Sequence, residues 1–98
     1  MTVDELVEIF EEVNDDDYGD FGLIWPRLSN RPDLHAFILL DKLVPGMMDM
    51  VSAAEHDQIW LGVSLESLAK VITKEQVIEL SRCGVYIDEY GEGLHRYV

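Results

Sequence analysis

The chain has 98 residues, of which 48% are hydrophobic, and a formal net charge of −13. This length suits one domain, and the content of aromatic and β-branched residues excludes a disordered acidic tail. The negative charge excludes a general nucleic-acid binder, which needs Lys and Arg to displace the counterions of the phosphates.

The charge is concentrated at the N-terminus. Residues 1–20 contain nine acids and no base, so they carry −9 of the −13, whereas residues 21–98 contain eleven acids and seven bases. An acidic start is the reverse of a secretory signal, and the single cysteine, Cys83, can form no internal disulfide. No apolar run reaches the roughly 18 residues of a membrane span, and anionic headgroups would repel the chain. These features predict a soluble, cytoplasmic protein without a membrane partner.

Residues 1–13 are predicted to form an acidic amphipathic helix. Thr2 and Glu5 have the spacing of a capping box at its start. Its apolar side chains follow the helical period and form one stripe, at Val3, Leu6, Val7, Phe10 and Val13.

Residues 14–30 are predicted to form an aromatic-rich loop, because they follow neither the helical nor the strand period. Long loops of this kind are often functional. We expect the loop to be packed onto the domain through its large side chains, Tyr18, Phe21, Leu23, Ile24 and Trp25.

Residues 31–98 are predicted to continue as a helix, a hairpin, two short helices and a C-terminal hairpin. The first helix begins near Asn30 or Arg31 and is stopped by Pro45 and Gly46. The other predicted elements are strands over 48–54 and 59–63 joined at 55–57, helices over 65–71 and 74–83, and strands over 85–90 and 94–98. Residues 1–98 thus form a single acidic α+β domain, with a small antiparallel or mixed sheet of about four strands, in two hairpins, covered by about four helices.

Two local signals support the second half of this assignment. Thr73 and Gln76 form another capping-box pattern, and Gly84 suits the left-handed residue that ends a helix.

A C-terminal strand ending at Val98 could lie at a sheet edge and pair with a second copy, so both monomer and homodimer stay open.

Residues Asn14 to Asp20 superficially resemble a calcium loop. If Gly19 takes position 6 of an EF-hand loop, however, Tyr18 and Trp25 fall on positions 5 and 12, where carboxylate or amide ligands are needed. A solvated acidic turn is therefore favoured over an irregular divalent-ion site.

The sequence shows no catalytic or cofactor motif. His35, His56 and His95 lack zinc-ligand spacing, and a helix C-terminus near Cys83 disfavours the thiolate. His56 beside Asp57 is interpreted as a turn histidine rather than half of an acid–base pair. We therefore predict no catalytic residue, no metal, no cofactor and no enzymatic activity.

Four aromatic residues of the predicted strands are candidates for an interaction surface. Trp60 lies opposite the apolar face of its strand, so it packs under a helix or is exposed as an interface anchor. Tyr86, Tyr90 and Tyr97 can share one face of the C-terminal hairpin. If that face is uncovered, it is a protein-binding surface, because aromatic anchors dominate interface energetics.

Residues 55–98 contain D-x-I-x-L, a Ser-capped short helix, T-K-E-Q-V, R-C-G-V and a closing L-x-x-Y-V. This string resembles small uncharacterised proteins encoded by bacteriophages and prophages. The resemblance implies a small phage-type protein without an assigned activity and transfers no functional residue.

The sequence as a whole favours a non-catalytic interaction or inhibitor protein that binds a host or phage protein with a basic surface. The predicted partner-binding residues lie in the acidic N-terminal segment and the loop that follows it, at Glu8, Glu11, Glu12, Asp15, Asp16, Asp17, Tyr18, Asp20 and Trp25. One alternative is a DNA mimic that occupies a basic nucleic-acid groove, although direct binding of nucleic acid is not expected. The other is a small metal-dependent enzyme.

Overall fold

The computed structural model describes residues 1–15 and 20–98, without the side chains of residues 14 and 15. Within these ranges the chain folds into four α-helices and a four-stranded antiparallel sheet, as the α+β prediction required. The helices are α1 (Val3–Asp15), α2 (Pro32–Leu43), α3 (Leu65–Ala69) and α4 (Lys74–Arg82). The strands are β1 (Val51–Glu55), β2 (Gln58–Leu61), β3 (Val85–Ile87) and β4 (Leu94–Tyr97).

The helix ends follow the local signals of the sequence. Both capping boxes form: Thr2 and Glu5 exchange side-chain to backbone hydrogen bonds of 3.0 and 3.1 Å, and Thr73 and Gln76 exchange bonds of 3.0 and 3.2 Å. The hydrogen bonds from Thr2 lower the pKa of the exposed Glu5 carboxyl. Gly84 follows α4 with a φ of 84°, a left-handed conformation that glycine adopts without steric cost.

The sheet has the strand order β1-β2-β4-β3, with every neighbouring pair antiparallel. The two hairpins are therefore joined through β2 and β4. The prediction that the C-terminal strand lies at a sheet edge is wrong, because β4 is hydrogen-bonded on both sides. The edges are β3 and β1, and every residue of β1 is exposed.

One face of the sheet, here called the inner face, packs against helices. Opposed residues in antiparallel strands point to the same side. Leu61 pairs with Leu94, which also pairs with Ile87, so these residues form a row across three strands. Helices α1 and α4 contact β3. The helices add the following buried residues to the same core: Leu6, Phe10, Val13, Ala36, Leu39, Leu40, Leu65, Leu68, Ala69, Val77 and Leu80.

The segment between α1 and α2 is packed onto the domain only in part. Ile24 is buried and Phe21 is partly buried, as expected, but Leu23 and Trp25 are 62% and 87% exposed, so the prediction was wrong for these two. Arg27 donates hydrogen bonds to the carbonyl groups of Ile24 and Gly22 within the segment, and the backbone N–H of Leu28 donates to Nδ1 of His35 on α2.

Several boundaries differ from the predicted ones. Helix α1 continues to Asp15, past the last apolar residue of its stripe. Strand β1 begins at Val51, three residues after the predicted start, because its pairing with β2 begins there, at Leu61. Strand β3 ends at Ile87, where the backbone leaves the ladder to form the turn before β4. The apolar pattern locates these elements but does not fix their ends.

Candidate functional site

The opposite face of the sheet, the outer face, has an aromatic row at its centre. Trp60 on β2 pairs with His95 on β4, which in turn pairs with Tyr86 on β3. Tyr97, two residues after His95, pairs with Gln58 on the same face. The outer row therefore alternates, residue by residue, with the apolar row of the inner face.

His95 is the centre of this row. Its ring makes edge contacts with Tyr86 and Tyr97, at centroid distances of 6.3 and 5.3 Å. Its Nδ1 lies 3.1 Å from Oε1 of Gln58, which fixes the orientation of the imidazole. His95 is 9% exposed although, among the described residues, those that line this side belong to strands and turns, so strand neighbours provide its burial.

A groove of about 390 Å³ lies on this face. We call it the sheet groove. Its floor is formed by strand residues, at Gln58, Trp60, His95 and Tyr97, and its rim by the two hairpin turns, at Glu55, His56, Asp88, Glu89 and Tyr90. A more open hollow of about 540 Å³ shares Trp60, Glu55 and Asp88 with the groove and continues toward Gly62.

Asp88 builds the β3–β4 side of the rim. Its Oδ1 accepts hydrogen bonds from the backbone N–H groups of Tyr90 and Glu92, at 3.1 and 3.0 Å. Its backbone N–H donates to the carbonyl of Gly93, at 2.8 Å. This turn places Tyr90, which is 75% exposed, beside the groove.

The β1–β2 turn forms the opposite side of the rim. His56 has a φ of 54°, and its Nε2 lies 3.9 Å from Oε1 of Glu55. The prediction that His56 is a turn residue is confirmed, and its contact is with Glu55. The carbonyl of Asp57 accepts a hydrogen bond of 2.7 Å from the backbone N–H of Val98, which fixes the turn to the end of β4.

The groove is electronegative. Its described lining contains three carboxylates, those of Glu55, Asp88 and Glu89, and no Lys or Arg. A hydrogen bond to Glu89 and the charges of all three carboxylates raise the pKa of Tyr90. The neighbouring base Arg96 lies on the inner face, where it donates its Nε–H to the carbonyl of Cys83, at 2.9 Å, and an Nη1–H to the carbonyl of Tyr97, at 3.2 Å.

The predicted partner-binding residues lie elsewhere. Glu8, Glu11 and Glu12 are exposed on α1, and Glu12 forms an ion pair of 3.0 Å with Lys74. Trp25 is also exposed, whereas the carboxylate of Asp20 accepts the N–H of Gly22 at 2.8 Å and caps a short 3₁₀ helix. The side chain of Asp15 and all of Asp16, Asp17 and Tyr18 fall outside the described residues.

The calcium-loop question also falls largely outside the described residues, because it concerns residues 14–20. In the rest of the chain, as far as it is described, no group of three or more His, Cys, Asp or Glu side chains is placed to hold a metal ion.

Cys83 and His35 lie in the core. Burial, with a further contribution from Glu79 that Arg96 opposes, raises the pKa of the Cys83 thiol to about 12. The sequence predicted that the thiolate form of Cys83 is disfavoured, but gave the helix C-terminus as the reason. In the structure the largest cause is burial. His35 accepts the N–H of Leu28 on Nδ1, at 3.1 Å, and its Nε2 is 3.1 Å from Oε2 of Glu79 in a direction that makes no hydrogen bond. With a side chain 1% exposed, His35 orients the loop and cannot contact a ligand.

The sequence named part of the sheet groove in advance. Trp60 is partly exposed on the outer face, and Tyr90 and Tyr97 border the groove, as an uncovered hairpin face would require. His95 was considered only as a metal ligand, although its alternation with Leu94 and Arg96 assigns it to the face of Tyr97. No sequence pattern identified Glu55 and Glu89 as groove residues, because only the pairing of the two hairpins brings their carboxylates to one groove.

Among the described residues, no helix is long and apolar enough to cross a membrane. Comparison of the chain with protein-family models, with curated proteins and with solved structures finds no match. The outer face of the sheet is therefore interpreted from its own chemistry.

Proposed function

We propose that this chain is a non-catalytic interaction domain that binds a protein with a basic surface in the cytoplasm. The observation that carries the proposal is the sheet groove, an aromatic and acidic concavity formed by strands and turns. Buried Trp and Tyr anchors contribute most of the binding energy in many protein interfaces. Clustered carboxylates steer a basic partner toward such anchors and accelerate its association.

The exposure of the groove residues supports this assignment. Tyr90 and Tyr97 are 75% and 54% exposed, and Trp60 is only partly buried. Large aromatic side chains grouped on one uncovered face are unusual for a surface that has no partner. Their removal from water on binding supplies the hydrophobic part of the affinity.

The acidic N-terminal segment is included in the proposal as a second contact. Glu8 and Glu11 are exposed on α1, and Trp25 is exposed in the following loop. Their charge attracts the same kind of basic partner. The resemblance to phage-encoded proteins makes host proteins that bind nucleic acid the first partners to test.

The two surfaces are separated by affinity capture from a bacterial lysate with four forms of the immobilised chain. These are the wild type, the groove variant Tyr90→Ala/Tyr97→Ala, the segment variant Glu8→Gln/Glu11→Gln and the loop variant Trp25→Ala. Glu12 is left intact because it pairs with Lys74. We expect the wild type to retain a basic protein, the groove variant to lose it, and the segment variant to retain it with a weaker dependence on salt.

Recovery of the same proteins in equal amounts by the groove variant and the wild type would contradict the proposed surface. Loss of the partner in Trp25→Ala alone would assign the contact to the loop instead. Each variant is first compared with the wild type by circular dichroism and urea unfolding, so that loss of binding is not loss of fold.

A further inference from the structure

The floor and rim of the sheet groove combine two features that select for one class of ligand. Trp60, Tyr90 and Tyr97 provide aromatic rings at a partly exposed site. The face of an aromatic ring is negative, so it attracts a cation that lies over it, and Trp is the strongest of these residues.

The carboxylates lie at both ends of the groove. Glu55 comes from the β1–β2 hairpin and Glu89 from the β3–β4 turn, and both are exposed. The third carboxylate, Asp88, already accepts two backbone N–H groups of its own turn. Glu89 accepts a hydrogen bond from Tyr90, and Glu55 lies 3.9 Å from the exposed His56. Because a carboxylate has about four acceptor positions, both keep capacity to meet a ligand.

No described cation of this chain occupies the position. The described lining of the groove contains no Lys or Arg, and the guanidinium of Arg96, which lies on the inner face, is engaged by the backbone carbonyls of Cys83 and Tyr97. The hydrogen bond to Glu89 is the largest cause of the raised pKa of Tyr90, and the charges of Glu89, Asp88 and Glu55 act in the same direction.

We infer that the sheet groove receives the guanidinium group of a single arginine side chain of the partner. A guanidinium group is planar, so it stacks on aromatic faces while its N–H groups donate to a carboxylate. A volume of about 390 Å³ is enough for one such side chain but lies near the lower end for drug-sized ligands. This inference rests on the proposed function and names the chemical group that the partner supplies.

The test uses the full chain with Trp25→Phe, which leaves Trp60 as the only tryptophan. The probes are the blocked tripeptide Gly-Arg-Gly and the same peptide with lysine or with citrulline, the uncharged isostere of arginine. Binding is followed by Trp60 fluorescence and by amide chemical shifts of β2 and β4. We expect saturable binding of the arginine peptide, weaker binding of the lysine peptide and none of the citrulline peptide.

The substitution Glu55→Gln/Glu89→Gln removes both exposed carboxylates at constant shape. We expect it to weaken binding of the arginine peptide by about fivefold, the scale of two partly exposed charge interactions. The matched control is Asp41→Asn/Glu66→Gln, which removes the same charge from exposed positions on α2 and α3 and leaves the affinity unchanged.

Three results would overturn the inference: equal binding of the citrulline peptide, tighter binding of the lysine peptide, or an unchanged affinity in the Glu55→Gln/Glu89→Gln variant. Failure here is separable from failure of the proposed function. If the arginine peptide does not bind but Tyr90→Ala/Tyr97→Ala still loses the captured protein, the interaction surface stands and the arginine site falls. If the arginine peptide binds but the Tyr90→Ala/Tyr97→Ala variant captures the protein as the wild type does, the arginine site stands and the proposed interaction surface falls.

Discussion

The inner and outer rows of the sheet are made by neighbouring residues of the same three strands. Leu61, Leu94 and Ile87 form the inner row, and each is adjacent in sequence to one member of the outer row, Trp60, His95 and Tyr86. The inner row packs against helices, and Leu94 is fully buried. Over the outer row, the described lining of the groove consists of strand and turn residues, without a helix residue. Strand alternation thus lets one short sheet provide both a core and a binding face.

This division predicts that stability depends on the inner row and binding on the outer row. Leu94→Ala is expected to have the largest effect, because it removes a fully buried side chain in contact with both neighbouring strands. We expect it to lower the free energy of unfolding by about 2–5 kcal/mol in urea titrations. The matched outer-face variant Tyr97→Ala should lose less than about 1 kcal/mol, as is usual for exposed positions. Comparable losses in the two variants would contradict the division.

A second prediction concerns the loss of folding stability at alkaline pH, which depends on the buried thiol of Cys83. The pKa of Cys83 rises from 9.0 to about 12 on folding. Above pH 9 the unfolded chain therefore releases the thiol proton while the folded chain keeps it, so stability falls as the pH rises toward 12. The slope from this group approaches roughly 1.4 kcal/mol per pH unit.

The measurement compares urea unfolding of the wild type and Cys83→Ala between about pH 8 and about pH 10.5. Taking the difference between the two proteins removes the contribution of Tyr and Lys residues that titrate in the same range. We expect the stability advantage of the wild type to shrink above pH 9, where the unfolded thiol ionises. A difference that does not change with pH would show that burial does not control this thiol.

The third and smallest expected effect concerns the outer side, where the pKa of Tyr90 is shifted mainly by a hydrogen bond and by neighbouring charges and not mainly by burial. A hydrogen bond to Glu89 and neighbouring carboxylates raise the pKa of Tyr90, which is 75% exposed. Raising the ionic strength from about 0.01 to about 1 M shortens the Debye length from about 30 to about 3 Å. We expect the pKa of Tyr90 to fall toward 10.0 as the carboxylates are screened.

Ultraviolet titration of the wild type against Tyr90→Phe isolates this residue. The internal comparison is the rate of Cys83 alkylation at fixed pH, which should respond little to salt because the thiol is 1% exposed. If salt changes the reactivity of Cys83 as strongly as the ionisation of Tyr90, the two sides do not differ in the way the structure indicates.

Much of the fold was predictable because its signals are short. The capping boxes at Thr2 and Thr73 and the left-handed Gly84 depend on residues no more than three positions apart. The alternation of Ile59, Trp60 and Leu61 predicted a strand with two unlike faces. These features gave the order of elements and the α+β class.

The candidate site was predictable only in part. Alternation and the hairpin pattern marked Trp60, Tyr90 and Tyr97 as candidates, but left open whether a helix covers them; in the structure all three line the groove. The sequence did not predict that Glu55 and Glu89 line the same groove as these aromatic residues, because the two carboxylates belong to different hairpins. Nothing within either hairpin specifies that the two will share a groove.

By itself the sequence determined the helices, the hairpins and the concentration of acid at the N-terminus, because each depends on neighbours along the chain. Only the tertiary structure decided that β2 pairs with β4, which aligns Trp60 with His95 across 35 positions of sequence. That pairing satisfies the backbone of both strands and turns their apolar side chains toward one core. The aromatic face opposite that core follows from the same register.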